Sequence, residues 1–251
     1  MTADPAAGDE RAVQVRTLFS EIAPRYDLLN HVLSLNIDRR WRRRAVRALG
    51  WERAPHGTYL DACAGTFDLA LELAGRHGFA GRVVGADFAL PMLARGLPKI
   101  HAAAVAPVCG DTRMLPFGAA TFAGATVGFG VRNLSDLSAG FRELHRVLEP
   151  GGRLVVLEFT VPPGRFLRAA YLFYFNRILP LIGRLVSGHP WAYTYLPRSV
   201  RGFPGPVALA EQLRSAGFAS VEWSLVSGGI AAIHVAAKAG RQTGSGPRRA
   251  P

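Results

Sequence analysis

The sequence predicts an α/β fold built on one mostly parallel sheet of seven strands. Three observations predict it. Short apolar runs alternate with helical patterns from Thr58 onward, the signature of a doubly wound sheet. The first run ends in Asp61, and a tight small-residue turn, Ala62-Cys63-Ala64-Gly65-Thr66, leads into a helical pattern at Asp68. Chains make that junction where a nucleotide-like ligand approaches the backbone. Two late apolar runs flank Ser227-Gly228-Gly229, which reads as an antiparallel hairpin.

Each element follows from local pattern. Residues 1–12 are small and polar and read as disordered. Val15, Leu18, Phe19 and Ile22 recur at helical spacing from Val13 until Pro24 breaks the run. Leu28–Leu35 and the basic Asp38–Leu49 read as further helices, with Gly50 as C-cap. Together residues 13–50 form a helical arm. The core follows as strand Thr58–Ala62, helix Asp68–Arg76, strand Arg82–Ala86, helix Pro91–Leu97 and strand Val105–Cys109. Strand Ala123–Phe129 and helix Ser138–Leu148 come next, then the turn Glu149-Pro150-Gly151-Gly152 and the apolar strand Arg153–Thr160.

Phe166 to Phe203 breaks the alternation; it is aromatic, interrupted by prolines and contains no strand pattern. It reads as a helical lid, residues 164–204, inserted after the fifth strand. Pro206–Ala216 is a helix, Val221–Val226 and Ile230–Ala237 are strands, and 239–251 is a basic disordered tail. Residues 13–238 are therefore expected to form a single domain. Arm and lid both fall where they can cover the carboxy-terminal edge of the sheet, the ligand-binding edge of open parallel sheets.

Composition narrows the class. The chain has 251 residues, enough for one large domain, and 49% of them are hydrophobic. Two cysteines, Cys63 and Cys109, are too few for a disulfide framework and suit a reducing compartment. Met1 to Glu10 has neither the basic nor the apolar region of a signal peptide. The most apolar stretch, Phe166 to Val186, is broken by Arg168, Arg177, Pro180 and Arg184 and is no membrane span. The net charge is +12, almost all arginine, since only Lys99 and Lys238 are lysines. Nucleic-acid binding, attraction to an anionic membrane and a codon-driven arginine bias are the three readings of that charge. The dense cluster is Arg39-Arg40-Trp41-Arg42-Arg43-Arg44, but the chain lacks a recognisable RNA-binding module, and no nucleic-acid partner is expected.

The candidate site gathers at strand ends. A dinucleotide fold uses three glycines in the first turn, whereas this turn has only Gly65, with Ala64 and Phe67 beside it. It cannot wrap a pyrophosphate tightly, so S-adenosylmethionine fits better than a nicotinamide dinucleotide. Asp87 ends the second strand, where a ribose would sit. Asp111 follows the third strand, where a carboxylate can accept a hydrogen bond from an adenine amine. No histidine or cysteine spacing suggests a metal.

Asp61 to Ala70, Ala86-Asp87-Phe88 with Pro91-Met92-Leu93, and Gly110-Asp111 with Leu115-Pro116-Phe117 resemble the cofactor motifs of class I S-adenosylmethionine-dependent methyltransferases. Leu18 to Asn30, Gly128-Phe129-Gly130-Val131-Arg132-Asn133, Leu157-Glu158-Phe159 and Ala192 to Val200 narrow the resemblance. They are similar to the ubiquinone/menaquinone biosynthesis C-methyltransferase family, over nearly the whole folded chain. The resemblance implies a Rossmann-like methyltransferase fold and methylation of a ring carbon on a prenylated quinol. It carries cofactor contacts onto Thr66, Asp87, Asp111 and Thr112, with Asp61, Gly65 and Gly128 completing the expected set. Two residues depart from the family pattern: Phe67, where Gly or Ala is usual, and Gly128, often a small polar residue. A bulky Phe67 either narrows the methionine pocket or turns away from it.

An aromatic carbon becomes nucleophilic when its hydroxyl neighbour is deprotonated, so the chemistry needs a base and a cation for the phenolate. Arg132 is expected to stabilise that phenolate and Asn133 to orient it, with Tyr26 a second catalytic candidate; ordinary structural roles are the alternative for each. Tyr171, Phe173, Tyr174, Phe175, Leu179, Leu181 and Ile182 either line a tunnel for an isoprenoid tail or pack as a plain lid. Arg168, Arg177 and Arg184 are placed to rest on lipid headgroups. Cytoplasmic location, peripheral attachment to the inner membrane face and a homodimer complete the expectations.

Overall fold

The computed structural model describes residues 36–178 and 190–241, together with 13, 15–17, 19–21 and 23; for 190–194 it describes the backbone alone. Tyr26, the Leu28–Leu35 helix, Leu179, Leu181, Ile182, Arg184 and residues 242–251 of the basic tail lie outside the described residues. The described residues of the first predicted helix are helical at 13, 15–17 and 19–21.

Helix α1 (Ile37–Leu49) ends at Gly50, whose left-handed φ of +66° closes the helix as its C-cap. Strand β1 (Thr58–Ala62) leads to the short helix α2 (Asp68–Ala74), and β2 (Arg82–Asp87) leads to α3 (Leu90–Ile100). Strands β3 (Val105–Cys109) and β4 (Phe122–Gly128) precede a 3₁₀ turn at Val131–Asn133, helix α4 (Leu137–Val147) and strand β5 (Leu148–Phe159). The lid contributes α5 (Arg165–Phe173), a π turn at Tyr174–Ile178 and α6 (Pro190–Gly202). Helix α7 (Pro206–Ser215) and strands β6 (Ser220–Val226) and β7 (Ala231–Ala237) finish the fold.

The seven strands are ordered β3-β2-β1-β4-β5-β7-β6. The first five are mutually parallel, and β7 runs antiparallel to both β5 and β6. This is the expected mostly parallel seven-stranded sheet with its terminal hairpin. Chain order reverses at β1, which has β2 on one side and β4 on the other. Such a switch point opens a crevice at the strand ends. Register levels those ends: Ala62 pairs with Ala86 and with Val127. Cys63, Asp87 and Gly128 therefore leave the sheet side by side.

Helices cover both faces, so central strands bury residues on both sides and read as nearly continuous apolar runs. In β5, Leu154 and Val156 face α4 and α7 through Phe141, Leu144, Leu209 and Leu213. Val155 and Leu157 face the opposite layer, with Trp41, Val46 and Leu49 of α1 and Leu69 and Leu73 of α2. Pro107 lies in β3, the edge strand, where a missing N–H costs least.

Most boundaries shift by a residue or two, and two differences have a clear physical cause. Helix α3 runs through Pro98 instead of stopping before it. The lost hydrogen bond falls in the last turn, where Ile100 is buried and Lys99 bonds Asp68 at 2.8 Å. The turn at Glu149 to Gly152 is folded into β5 as an irregularity: Leu148 pairs with Phe122 and Arg153 with Gly124. The bulged residues rejoin the ladder without ending it.

Candidate functional site

The site begins with two carboxylates. Asp61, buried in β1, accepts hydrogen bonds from Thr126 Oγ1 at 2.9 Å and from the Ala70 N–H at 3.0 Å. It thereby ties β1 to β4 and to α2. Burial pushes its carboxyl up to about 7, against those two hydrogen bonds. Asp87, at the end of β2, accepts from the Gly65 N–H at 2.8 Å on one oxygen and from the Ala89 N–H at 2.8 Å on the other. It clasps the β1 loop to the start of α3. Burial raises its pKa as well, opposed by the N–H bonds from Ala89, Gly65 and Phe88.

The β1 loop is bent hard. Cys63, Gly65 and Phe67 all adopt left-handed backbone, with φ of +52°, +54° and +69°. Phe129, just past β4, does the same at +57°. For side chains larger than glycine this conformation costs on the order of 1–3 kcal/mol each, and it persists where surrounding contacts over-determine it. For Phe67 those contacts are visible. Its ring lies in a slot between Gly85 of β2 and Gly96 of α3. A Cβ on Gly85 would lie 2.5 Å from Cδ1 of the ring, and one on Gly96 would lie 2.5 Å from Cδ2. Phe67 is completely buried and turns away from the cleft, which decides between the two alternatives. The second departure also has a steric partner, since a Cβ on Gly128 would lie 2.6 Å from Leu69 Cδ1.

Asp111 is held by Arg113, which donates from Nη2 at 2.7 Å, from Nε at 3.0 Å and from its own backbone N–H at 2.8 Å. Burial raises the Asp111 carboxyl, and the Arg113 hydrogen bonds and charge outweigh it, so it lies below the ordinary carboxylate value. Beside it opens a cavity of about 370 Å³, lined by Phe88, Gly110, Asp111 and Arg113, with Val13 and Arg16 from the arm. Thr112 is buried, 3.4 Å from the Cys63 sulfur. Thr66 is buried in the crevice between Asp61 and Gly128.

The other wall is made after β4. Gly128, Phe129 and Asn133 face Gly65 and Asp87 across one cleft, with Phe19 from the arm at its edge. Asn133 donates to the Phe129 carbonyl at 3.4 Å and accepts from the Tyr195 hydroxyl at 2.9 Å, which fastens α6 to this wall. Arg132 is not among the lining residues. Its Nη1 donates to Glu158 Oε1 at 2.7 Å and to the Phe129 carbonyl, and its guanidinium lies over the Phe159 ring. Glu158 is buried; desolvation raises its pKa and the Arg132 charge opposes the rise. Tyr171 and Phe175 pack with Val200 under Phe159, so these aromatics form a lid core, whereas Phe173 is exposed.

Sequence reasoning did not assign Glu158, Tyr195 or Arg42. Glu158 carries its own signal, an acid near the end of an otherwise apolar strand. Tyr195 lies in the Ala192 to Val200 motif, but nothing local announces its bond to Asn133, 62 residues away. Arg42 was read only as part of a dense basic cluster. Arg39, Arg40, Arg43 and Arg44 are exposed, but Trp41 and Arg42 are buried. Trp41 donates to Ser227 Oγ at 2.9 Å and packs on Phe129 and Phe159.

The donor set suits S-adenosylmethionine. Carboxylates at the ends of β2 and β3 recognise hydroxyls and amines and repel phosphates. Helix α2, seven residues long, begins at a left-handed Phe67, without the glycine turn that receives a pyrophosphate.

Comparison with known proteins agrees. Residues 6–238 match the ubiE/COQ5 methyltransferase family. Demethylmenaquinone methyltransferase from Thermus thermophilus is 51% identical over 220 residues, covering 87% of this chain and 98% of the relative. Ubiquinone/menaquinone biosynthesis C-methyltransferase UbiE from Geobacter sulfurreducens is 41% identical, covering 91% and 90%. Among solved structures, a SAM-dependent methyltransferase from Thermotoga maritima superposes with a TM-score of 0.62 at 18% identity, covering 89% of this chain and 99% of its own, a likeness of fold.

Proposed function

Because the chain belongs to the ubiE/COQ5 methyltransferase family, whose cofactor is S-adenosylmethionine, we propose that it methylates a ring carbon of a prenylated quinol, converting demethylmenaquinol to menaquinol. The observation that carries this reading is the shared cleft: Gly65 and Asp87 form one wall, and Phe129 and Asn133 form the other. The name of the Thermus relative favours a naphthoquinol ring.

S-adenosylmethionine supplies an electrophilic methyl group on a sulfonium, so the protein's work is alignment. Asp87 takes the ribose hydroxyls at the end of β2, and Asp111 takes the adenine side, next to Phe88. Asp61, Gly65, Thr66, Thr112 and Gly128 shape the crevice between them. Asn133, held by Tyr195, orients the ring oxygen of the quinol. Arg132 supports the developing phenolate from beneath this wall, and its bond to the Phe129 carbonyl holds the turn that presents Asn133. Tyr26 retains its assignment as a second catalytic candidate.

Membrane access is part of the proposal. Among the described residues no helix is long and apolar enough to cross a bilayer. Helix α5 and the turn after it expose Phe166, Phe173 and Ile178 beside Arg165, Arg168 and Arg177. Apolar and cationic side chains on one exposed segment suit docking to an anionic lipid surface at the inner face of the cell membrane. The quinone profile of a strain lacking this chain tests the reading. Accumulation of a quinone lacking the ring methyl is expected, and an unchanged profile would point to another aromatic substrate.

A further inference from the structure

We propose that Arg42 binds the carboxylate at the amino-acid end of the methyl donor, an assignment that rests on the S-adenosylmethionine reading of the site. Arg42 comes from α1, outside the strand-end loops, yet it lines a crevice with Asp61, Gly65, Thr66, Asp68 and Gly128. That crevice shares Cys63, Gly65 and Gly128 with the cleft that holds Asp87. Gly65 and Gly128 thus form a waist, with an acid suited to ribose on one side and a guanidinium on the other. A ligand with a sugar at one end and an amino acid at the other spans such a waist.

The guanidinium is fixed in place. Its Nη1 meets Asp38 Oδ2 at 2.9 Å and Asp68 Oδ2 at 2.6 Å, and Asp68 also binds Lys99 Nζ at 2.8 Å. Two acids and two bases cancel locally, so burying Arg42 leaves no net charge unpaired among them. The ion pairs engage Nη1, while a guanidinium carries five N–H donors in a planar fork. The Phe129 ring, 6.0 Å from Cζ, backs the same group. A held fork facing a crevice is the arrangement that recognises a carboxylate through two parallel hydrogen bonds.

The alternative is a staple in which Arg42 only joins α1 to α2. Calorimetry separates the two with S-adenosylhomocysteine and its decarboxylated analogue S-adenosyl-3-thiopropylamine, which keeps the amine and lacks the carboxylate. The wild-type protein is expected to prefer S-adenosylhomocysteine by about 10-fold or more, as charged hydrogen bonds imply. Arg42→Gln is expected to lose most of that preference while holding the decarboxylated analogue within about two-fold of wild type. Equal weakening of both ligands means a staple and overturns the assignment, as does an unchanged preference. A wild-type protein that binds neither ligand removes the cofactor reading, and this assignment with it.

Discussion

Asp87 and Glu158 are both buried carboxylates near the carboxy-terminal ends of strands, and they are held in opposite ways. Asp87 accepts from the Gly65 and Ala89 N–H groups, donors that no side-chain substitution removes. Glu158 also has the Phe159 N–H at 2.9 Å, but its counter-charge is the Arg132 side chain. The Asp87 wall is thus shaped by the backbone of adjacent loops. The Glu158 wall depends on one cation and on Tyr195 arriving from α6. The donor half of the site is held by local backbone, whereas the acceptor half is assembled from distant parts.

The largest test of that contrast is Arg132→Ala. It strands Glu158 as a buried charge, and breaking such a pair costs about 3–5 kcal/mol. Urea unfolding should show that loss, and Arg132→Met combined with Glu158→Gln should recover much of it. Turnover should fall sharply in both variants, while a folded double variant should bind S-adenosylhomocysteine normally. A fully active Arg132→Ala enzyme would remove Arg132 from the mechanism.

Phe67→Ala probes the other wall. Emptying the slot between Gly85 and Gly96 should cost about 3–5 kcal/mol in stability. Cofactor affinity in the folded variant should stay within a few-fold of wild type, because the ring faces away from the cleft. A large loss of affinity with unchanged stability would show that Phe67 belongs to the pocket.

Tyr195→Phe is milder. Losing one hydrogen bond to Asn133 should cost about 1 kcal/mol. Turnover with quinol should drop, and S-adenosylhomocysteine binding should not. A change in cofactor binding instead would break the division between the two walls.

The last test is in pH dependence. The ordinary Asp61 value of 3.8 rises to about 7 in the fold. A carboxyl raised by folding lends its stability at low pH and loses it as pH climbs from about 4 through 7. Asp87 and Glu158, raised in the same direction, add to that slope. Asp61→Asn should therefore flatten the decline in unfolding free energy between about pH 4 and pH 7. A slope equal to wild type would mean that Asp61 does not titrate there.

What could be read from the chain follows the same contrast. The strand alternation, the Gly50 cap and the acids at strand ends are local patterns, and the structure contains them. Phe67 was ambiguous because its slot is formed by Gly85 and Gly96, glycines in a strand and a helix with no local reason to be there. Arg42 and Trp41 sit in a run of arginines that hides which face α1 buries. The Asn133–Tyr195 bond and the Arg132–Glu158 pair join elements that only the tertiary fold brings together. The turn inside β5 reads as a strand break until pairing with β4 carries the ladder across it.

Methyl transfer itself is the most direct measurement of the proposed activity. Purified protein, demethylmenaquinol in anionic vesicles and S-adenosylmethionine bearing a trideuterated methyl group should yield menaquinol with one labelled methyl on the ring carbon. Absence of label in the quinone fraction, from protein that binds S-adenosylhomocysteine, would contradict the proposed reaction.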